Sequence, residues 1–437
     1  MLNGPNWMEN SQPIVNLREE PTSFTAFPCF MNYLYEGKVV FKLDTVLGII
    51  KLADKYNVRP LVDITFKFMS KHIVSAMQHG CLISWLQYAE AIGNKIASKI
   101  ISGHIAWNFS NASRQKDFAF LDPPSMISFL QRSDLVIANE FELFDCVSSW
   151  FHAYETRIKA EEGEKSRSQD EWEAYFSDIV LNVMKHIRFP MMSCRHLAEM
   201  LLNPLVNRYK EYFVTRLGIG MSFHSAQLTR VRKVMELEPD GENLFTPRVY
   251  TDEKWSALLT IERFPYVPHY YSHALVFHSL STYSEDCMEA EEKQWEWTLT
   301  IHPKGVCFKK FFMIGWERML EVPENVVKKV RFVLQRKAEQ PVARVRISLL
   351  IYAESFQGVQ FVKDVHIRYA TFDDADSLRI NLDDVISYED LNMPQSSHQP
   401  RKEEKSFRYL LGHTQDLKLR VVVTPFVDKL LLMPKSR

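Results

Sequence analysis

His269, His273 and His278 lie close together in an aromatic-rich segment, and clustered imidazoles are the first place to look for a metal ion. They occupy alternating or turn positions, whereas a zinc site wants a tighter ligand set, so surface or internally bonded histidines are expected. Asp373, Asp374, Asp376, Asp383 and Asp384 hold enough carboxylate for calcium, yet the Gly and Glu of a calcium loop are missing, and they read as solvated turns. The six cysteines (Cys29, Cys81, Cys146, Cys194, Cys287 and Cys307) are far apart, with no CxxC pair, and are expected to be free buried thiols. No GxSxG, HExxH, P-loop or strand-following GxGxxG occurs, so neither catalysis nor a cofactor is expected. One further chemistry is covalent modification. Asn108-Phe109-Ser110 and Asn111-Ala112-Ser113 are glycosylation sequons at a helix exit, for which chance and helix capping are the preferred reading, since no secretory leader is expected.

The elements that would carry these residues are better marked than the residues. In Phe129 to Phe151, FLQRSDLVIANEFELFDCVSSWF, Asn139 can cap a helix with Glu142 three positions on, and Leu143, Phe144, Val147, Trp150 and Phe151 share one face. Such a stripe must be buried by neighbours. Arg132, Ser133 and Asp134, just ahead of it, are expected to fix a turn rather than touch a partner. Trp85, Trp107, Trp150, Trp295 and Trp297 are expected in cores.

With 437 residues, two or three domains are expected. The 53 Lys and Arg nearly balance 54 Asp and Glu, which leaves no electrostatic footprint for nucleic acid or for an acidic membrane. MLNGPNWMENSQP has no basic start followed by an apolar run, and no window approaches a membrane span, so a cytoplasmic location is expected.

Along the chain, residues 1–23 are irregular. FTAFPCFMNYLYEG reads as a helix stopped at Glu36-Gly37. A short strand at 38–43 follows, then a helix capped by Asp44 or Thr45 that leaves through Asn57. Two helices meet at Gly93, with Ile96, Ile100, Ile101 and Ile105 continuing the core, and Pro123-Pro124 breaks the chain before the next helix. Residues 156–171 alternate charges and read as a solvated loop, and 227–249, with PDGENLFTPR, as an interdomain linker. Beyond Tyr250 the period becomes two. Nine strands are expected, near 255–262, 273–280, 295–302, 306–315, 328–335, 343–352, 360–369, 377–381 and 417–424, as an antiparallel sandwich with a disordered excursion at 393–406.

FMNYLYEG followed by LADKYNVRPL resembles the closing third of a BTB/POZ domain. WLQYAEAIG, IAWNFS, FLQRSDLVIANEFELFDCVSSW and HIRFPMMSCRHLAEMLLNPLV resemble a BACK domain of the galectin-3-binding-protein-like branch, and WEWTLTIHPKGVCFKKFFMIGW with VRFVLQRK and ARVRISLLIYAES resembles a TRAF or MATH sandwich. The resemblance implies a multidomain chain: an all-α BTB remnant (24–78) and a BACK helical array (79–226), then a TRAF-like β-sandwich (250–430). The front of a BTB domain, with its dimer helix, has no counterpart before Phe24, so a BTB homodimer is not expected.

What the resemblance implies for function is protein binding. Such proteins recruit cullin-3 at one end and hold a client for ubiquitination at the other. Leu17 and Glu19 come nearest to the family's apolar-x-Glu cullin motif, several residues ahead of the aligned Thr22-Ser23-Phe24, which does not match it, so cullin binding is expected to be weakened or lost with the shortened BTB segment; Tyr35 and Tyr56 are further implied contacts. The alternative implied by the same branch is a secreted glycoprotein scaffold using Asn108 and Asn111.

Overall fold

The structure, a computed structural model, describes residues 18–163, 167–238, 241–269, 271–283, 294–305, 314–315, 318–319, 328–337, 343–355, 357–372, 378–392 and 409–426. Two compact units result, one of residues 1–105 with 111–122 and one of 106–110 with 123–437.

The first unit is helical: α1 (Pro21–Phe24), α2 (Phe27–Glu36), α3 (Val46–Lys55), α4 (Arg59–Lys71), α5 (Ile73–Gln78), α6 (Leu82–Ala91) and most of α7 (Lys95–Trp107). Phe30, Ile49, Ile50, Leu61, Trp85 and Leu86 are among its buried residues. Burial at about 1.5–3 kcal/mol per large apolar side chain, more than helix propensity, is what holds such short helices. Gly48 lets α1 lie against α3, since a Cβ there would stand 2.4 Å from the Thr22 carbonyl oxygen. As the sequence implies, α2 stops at Gly37 (φ 69°) and α3 is left through Asn57 (φ 54°).

Three local expectations need correction in this unit. Residues 38–43 form no strand, since none of the described residues pairs with them in a ladder. Neither proposed cap closes α3: Thr45 stands at the N-cap position without a side-chain cap bond, and its hydroxyl instead donates back to the Lys42 carbonyl. Ile96 and Ile100 are 77% and 44% exposed, so the buried stripe of α7 runs through Ala97, Ile101 and Ile105 instead.

On α7, burial pushes the His104 imidazole down to about 4. A folded pKa below the unfolded value near 6.5 means that the unfolded chain binds the proton first as the pH falls. Stability is therefore expected to be intact above about pH 6.5 and to decline toward pH 4, by up to about 3 kcal/mol from this residue. Urea midpoints measured across that range should fall less steeply in His104→Asn.

The second unit joins a helical array to a sandwich. Its helices are the end of α7, the start of α8 (Phe109–Ser113), α9 (Pro123–Gln131), α10 (Glu140–Glu162), α11 (Gln169–Met184), α12 (Cys194–Glu199), α13 (Pro204–Arg208), α14 (Lys210–His224), α15 (Leu228–Leu237) and α16 (Gly241–Leu244). Pro123 and Pro124 begin α9 rather than precede it, as suits a residue without an N–H in the first turn. Asn139 caps α10, its side chain accepting from the Glu142 amide at 2.9 Å, and Leu143, Phe144, Val147, Trp150 and Phe151 are all buried.

The supposed loop 156–171 is mostly helix. α10 continues to Glu162, and α11 starts behind a Ser168–Glu171 capping box. The charges there pair, Arg157 with Glu161 (3.0 Å) and Lys159 with Glu155 (2.8 Å), and just outside the stretch Arg208 joins Glu155 of α10 (2.9 Å) to Glu173 of α11 (2.6 Å). The supposed linker 227–249 is also folded. α15 and α16 pack on α14 through Ile219, Val231, Leu244 and Phe245, and the segment ends in the buried Arg248, Val249 and Tyr250. Turn formers mask its few apolar residues in the sequence.

Past this point two antiparallel sheets form the sandwich. Their strands are β3 (Ser256–Ile261), β4 (His273–Leu280), β5 (Gln294–His302), β8 (Arg331–Arg336), β9 (Ala343–Glu354), β10 (Gln360–Phe372), β11 (Arg379–Leu382), β12 (Leu410–Leu411) and β13 (Asp416–Pro425). Two small pairs stand apart, β1 (Val136–Ile137) with β2 (Val249–Tyr250), and β6 (Ile314–Gly315) with β7 (Arg318–Met319). One sheet runs β10-β9-β13-β12 with β3 also on β13, the other β11-β8-β5-β4. Their inner faces share one core, in which Trp297 meets Trp295 and Phe372 edge-on. The α17 helix (Tyr388–Asn392) adds Leu391 to it. Most of the expected strand at 306–315, and all of the excursion at 393–406, lie outside the described residues.

Candidate interaction site

A densely bonded turn among the described residues is Arg132-Ser133-Asp134, between α9 and β1. Arg132 clamps Asp134 through two bonds of 2.9 and 2.7 Å, and Trp107 adds its indole N–H to the same carboxylate at 3.1 Å. Burial would raise the Asp134 pKa, but Arg132 and Trp107 outweigh it and hold the carboxyl below its usual range. The turn thereby presents its carbonyls inward. The Arg132 carbonyl accepts from Arg248 (2.5 Å) and Arg188 (3.3 Å), the Ser133 carbonyl from Arg346 (2.6 Å), and the Ser133 hydroxyl from Arg188 (3.1 Å). Arg346 also donates to the Pro247 carbonyl.

Opposite these guanidinium groups stands one buried carboxylate. Glu140, at the start of α10, pairs with Arg248 at 3.1 Å and accepts from the Tyr250 hydroxyl at 2.7 Å and the Arg188 amide at 2.8 Å. Glu140, Arg188, Arg248 and Arg346 are each at most 1% exposed. Burial and the Glu140 charge carry the Tyr250 pKa well above its ordinary value, while burial and the Arg248 charge push Arg188 down to about 9. Arg248 comes from the stretch read as a linker and Arg346 from β9. The group therefore ties array, connecting segment and sandwich together, with the parallel β1–β2 pair beside it. It is a structural junction, and of its members Arg188 also borders a cleft on the array side.

None of the four charged residues was singled out in the sequence. A signal does exist: each arginine interrupts apolar text, as in HIRFP, TPRVY and ARVRIS. In β9 the residues from Val345 to Ile351 are all buried, so the strand loses the alternation that would have assigned Arg346 to a face.

The residues implied for cullin binding separate. Leu17 lies outside the described residues. Glu19 and Tyr56 come together, the tyrosine hydroxyl donating to the carboxylate at 2.6 Å while Lys55 pairs with it at 2.9 Å, so both are engaged within the first unit. Tyr35, at the end of α2, is 83% exposed, with Leu34 and Val40 also exposed nearby in the chain and Phe24 on α1.

The sequons separate too. The Asn108 side chain is buried; its amide donates to the Val362 carbonyl at 2.9 Å and its oxygen accepts the Val362 amide at 2.8 Å, where β10 carries a bulge. A residue so enclosed cannot receive a glycan in the folded chain, which corrects half of the modification reading. Asn111, on α8, is exposed. Replacing Asn108 by Ala would strand a buried N–H and a buried C=O of Val362, at about 1–3 kcal/mol apiece. Thermal or urea unfolding of Asn108→Ala is expected to show a loss of about 3 kcal/mol, while Asn111→Ala stays within about 0.5 kcal/mol of the parent.

His273 meets the Tyr271 hydroxyl at 3.1 Å, and His278 is exposed, 4.0 Å from Glu296. Among the described residues no group of three or more His, Cys, Asp or Glu is arranged to hold a metal ion. Asp383 and Asp384 pair with Arg331 and Arg368. Cys29, Cys81, Cys146 and Cys194 are half-buried rather than fully buried, and burial pushes the Cys81 thiol up to about 12. No described helix is long and apolar enough to cross a membrane.

Three family models match in succession: the BTB/POZ domain over residues 1–73, BACK (BTB And C-terminal Kelch) over 82–162, and the BTBD17 TRAF domain over 245–427. The chain is 25% identical over 248 residues to BTB/POZ domain-containing protein 17 of Xenopus laevis, covering 56% of this chain and 48% of that protein. It is 30% identical over 141 residues to the Mus musculus protein of that name (32% and 29% of the two chains). With galectin-3-binding protein of Rattus norvegicus it shares 24% identity over 233 residues (53% and 37%). The matches thus span about half or less of these relatives. The BTB match starts ahead of Phe24, and the TRAF match starts at 245, inside the connecting segment that the structure finds folded. Helical segments at the BTB and BACK matches followed by an antiparallel sandwich at the TRAF match agree with all three, and the chain thus carries, in succession, segments similar to the BTB/POZ, BACK and BTBD17 TRAF domains.

Proposed function

We propose that the protein is a non-enzymatic, cytoplasmic interaction adaptor that recruits a cullin-3 ubiquitin ligase through its N-terminal unit and holds a client protein through its sandwich. The succession of BTB, BACK and TRAF matches supports the adaptor reading. The observation that carries the ligase end is that four large apolar side chains of the BTB segment, Phe24, Leu34, Tyr35 and Val40, stand exposed, as they would at a protein-binding surface. A spacer that keeps a bound client near a ligase raises the effective concentration of its lysines without new chemistry.

The test is recovery of cullin-3 on the tagged full chain, compared with Leu34→Asp/Tyr35→Asp. Both positions are exposed, so the double variant should unfold at the parent's midpoint and recover cullin-3 about tenfold less well. Equal recovery by parent and variant, or none by either, would sink the ligase reading. A second reading, a secreted glycoprotein scaffold, is favoured by the exposed Asn111 sequon and by the similarity to galectin-3-binding protein. Glycosylated protein in the medium, with sugar lost in Asn111→Gln, would select it.

A further inference from the structure

A cleft of about 480 Å³ opens within the second unit, between the end of α9, the segment after α11, α14, Glu238 at the end of α15, and α16. Its volume lies in the range of small-molecule sites. Lys185, Arg188 and Arg216 bring three cations to its wall and Glu238 one carboxylate, while Ile127 and Leu244 supply apolar surface. Glu238 is already held by Arg216 at 2.5 Å, so it does not answer the other two charges.

The wall behind is also electropositive. Arg188 spends its guanidinium on the Thr246 carbonyl at 2.6 Å and on the 132–133 turn, none of which is a carboxylate. Its neighbours in the buried junction are Arg248 and Arg346, against the single Glu140. A low-dielectric wall with surplus positive charge, facing a cleft whose mouth carries the exposed Lys185, focuses potential into that cleft.

We propose that this cleft binds a small organic anion, a phosphate monoester or carboxylate on a compact apolar body. The anionic head sits toward Lys185, Arg188 and Arg216, and the apolar body lies on Ile127 and Leu244. Such a ligand touches α9, α14 and α16 together, so its binding stabilises the folded array.

The probes are phenyl phosphate, phenylacetate and uncharged phenol, titrated calorimetrically into the full chain at low salt. Saturable one-to-one binding is expected for at least one anion, about tenfold tighter than phenol and weakened by added salt. Tighter binding of phenyl phosphate identifies the phosphate-ester class; tighter binding of phenylacetate identifies the carboxylate class. Lys185→Glu, at an exposed position, is expected to keep the parent's unfolding midpoint and to weaken the anion about tenfold or more. Ile127→Trp, which fills the cleft without altering its charge, should abolish binding. Phenol binding as tightly as the anions, anion binding unchanged in both variants, or no saturation below about 10 mM would overturn the proposal.

Discussion

Glu140→Ala is expected to destabilise the full chain by about 3–5 kcal/mol, a large share of what holds a domain together. The residue is one carboxylate serving three partners: the Arg248 guanidinium, the Tyr250 hydroxyl and the Arg188 amide. Its removal leaves Arg248 buried with only backbone carbonyls, and the surviving positive charges repel one another across a medium that screens them poorly. Urea unfolding followed separately by far-ultraviolet dichroism of the helices and by tryptophan fluorescence checks this. The two transitions should coincide in the parent and separate in the variant, because the junction that couples array to sandwich is what has been lost. A midpoint shift under about 1 kcal/mol would mean that solvent reaches the pair and that the junction contributes little.

A chain cut to residues 250–437 is the second large case. The cut removes Arg248 and Val249, the backbone bonds from Val249 to Leu135, Thr251 to Ile137 and Asp252 to Ala138, and both carbonyls that receive Arg346. With at least two buried donors orphaned at about 1–3 kcal/mol each, the fragment should be less stable by about 3 kcal/mol or more than the sandwich within a chain starting at residue 123. Limited proteolysis of the two fragments side by side reads this out, and equal resistance would contradict it. Client mapping is therefore better done with surface substitutions in the full chain than by deleting the sandwich.

Much of the architecture is legible in the text. Helix stops at Gly37 and Asn57, the cap at Asn139 and the five-residue stripe of α10 follow from local rules. The alternation in Gln294–His302 foretells the burial of Trp295 and Trp297. The errors have physical causes. In 227–249, Pro, Asp, Gly and Asn hide the fact that Val231, Leu244 and Phe245 suffice to dock two short helices. In 156–171, alternating charge reads as solvation, although Arg157–Glu161 and Lys159–Glu155 are pairs four residues apart on one continuing helix. The junction was invisible for a stronger reason. Its members stand 48, 108 and more positions apart, and a lone arginine in apolar text says that a partner exists without saying where. The candidate cullin residues fared alike: the chemistry of Glu19 and Tyr56 suits a partner, but proximity within the fold has already joined them.

The Asn108–Val362 pair has a consequence for the company the protein keeps. β10 is the outermost strand of its sheet, and its outer side offers the backbone groups on which a second chain could extend the ladder. At Val362 both of those groups are taken by a single side-chain amide, at the point where a bulge already breaks the register. The asparagine thus imitates one rung of a neighbouring strand and stops there, which denies this stretch to edge-to-edge aggregation.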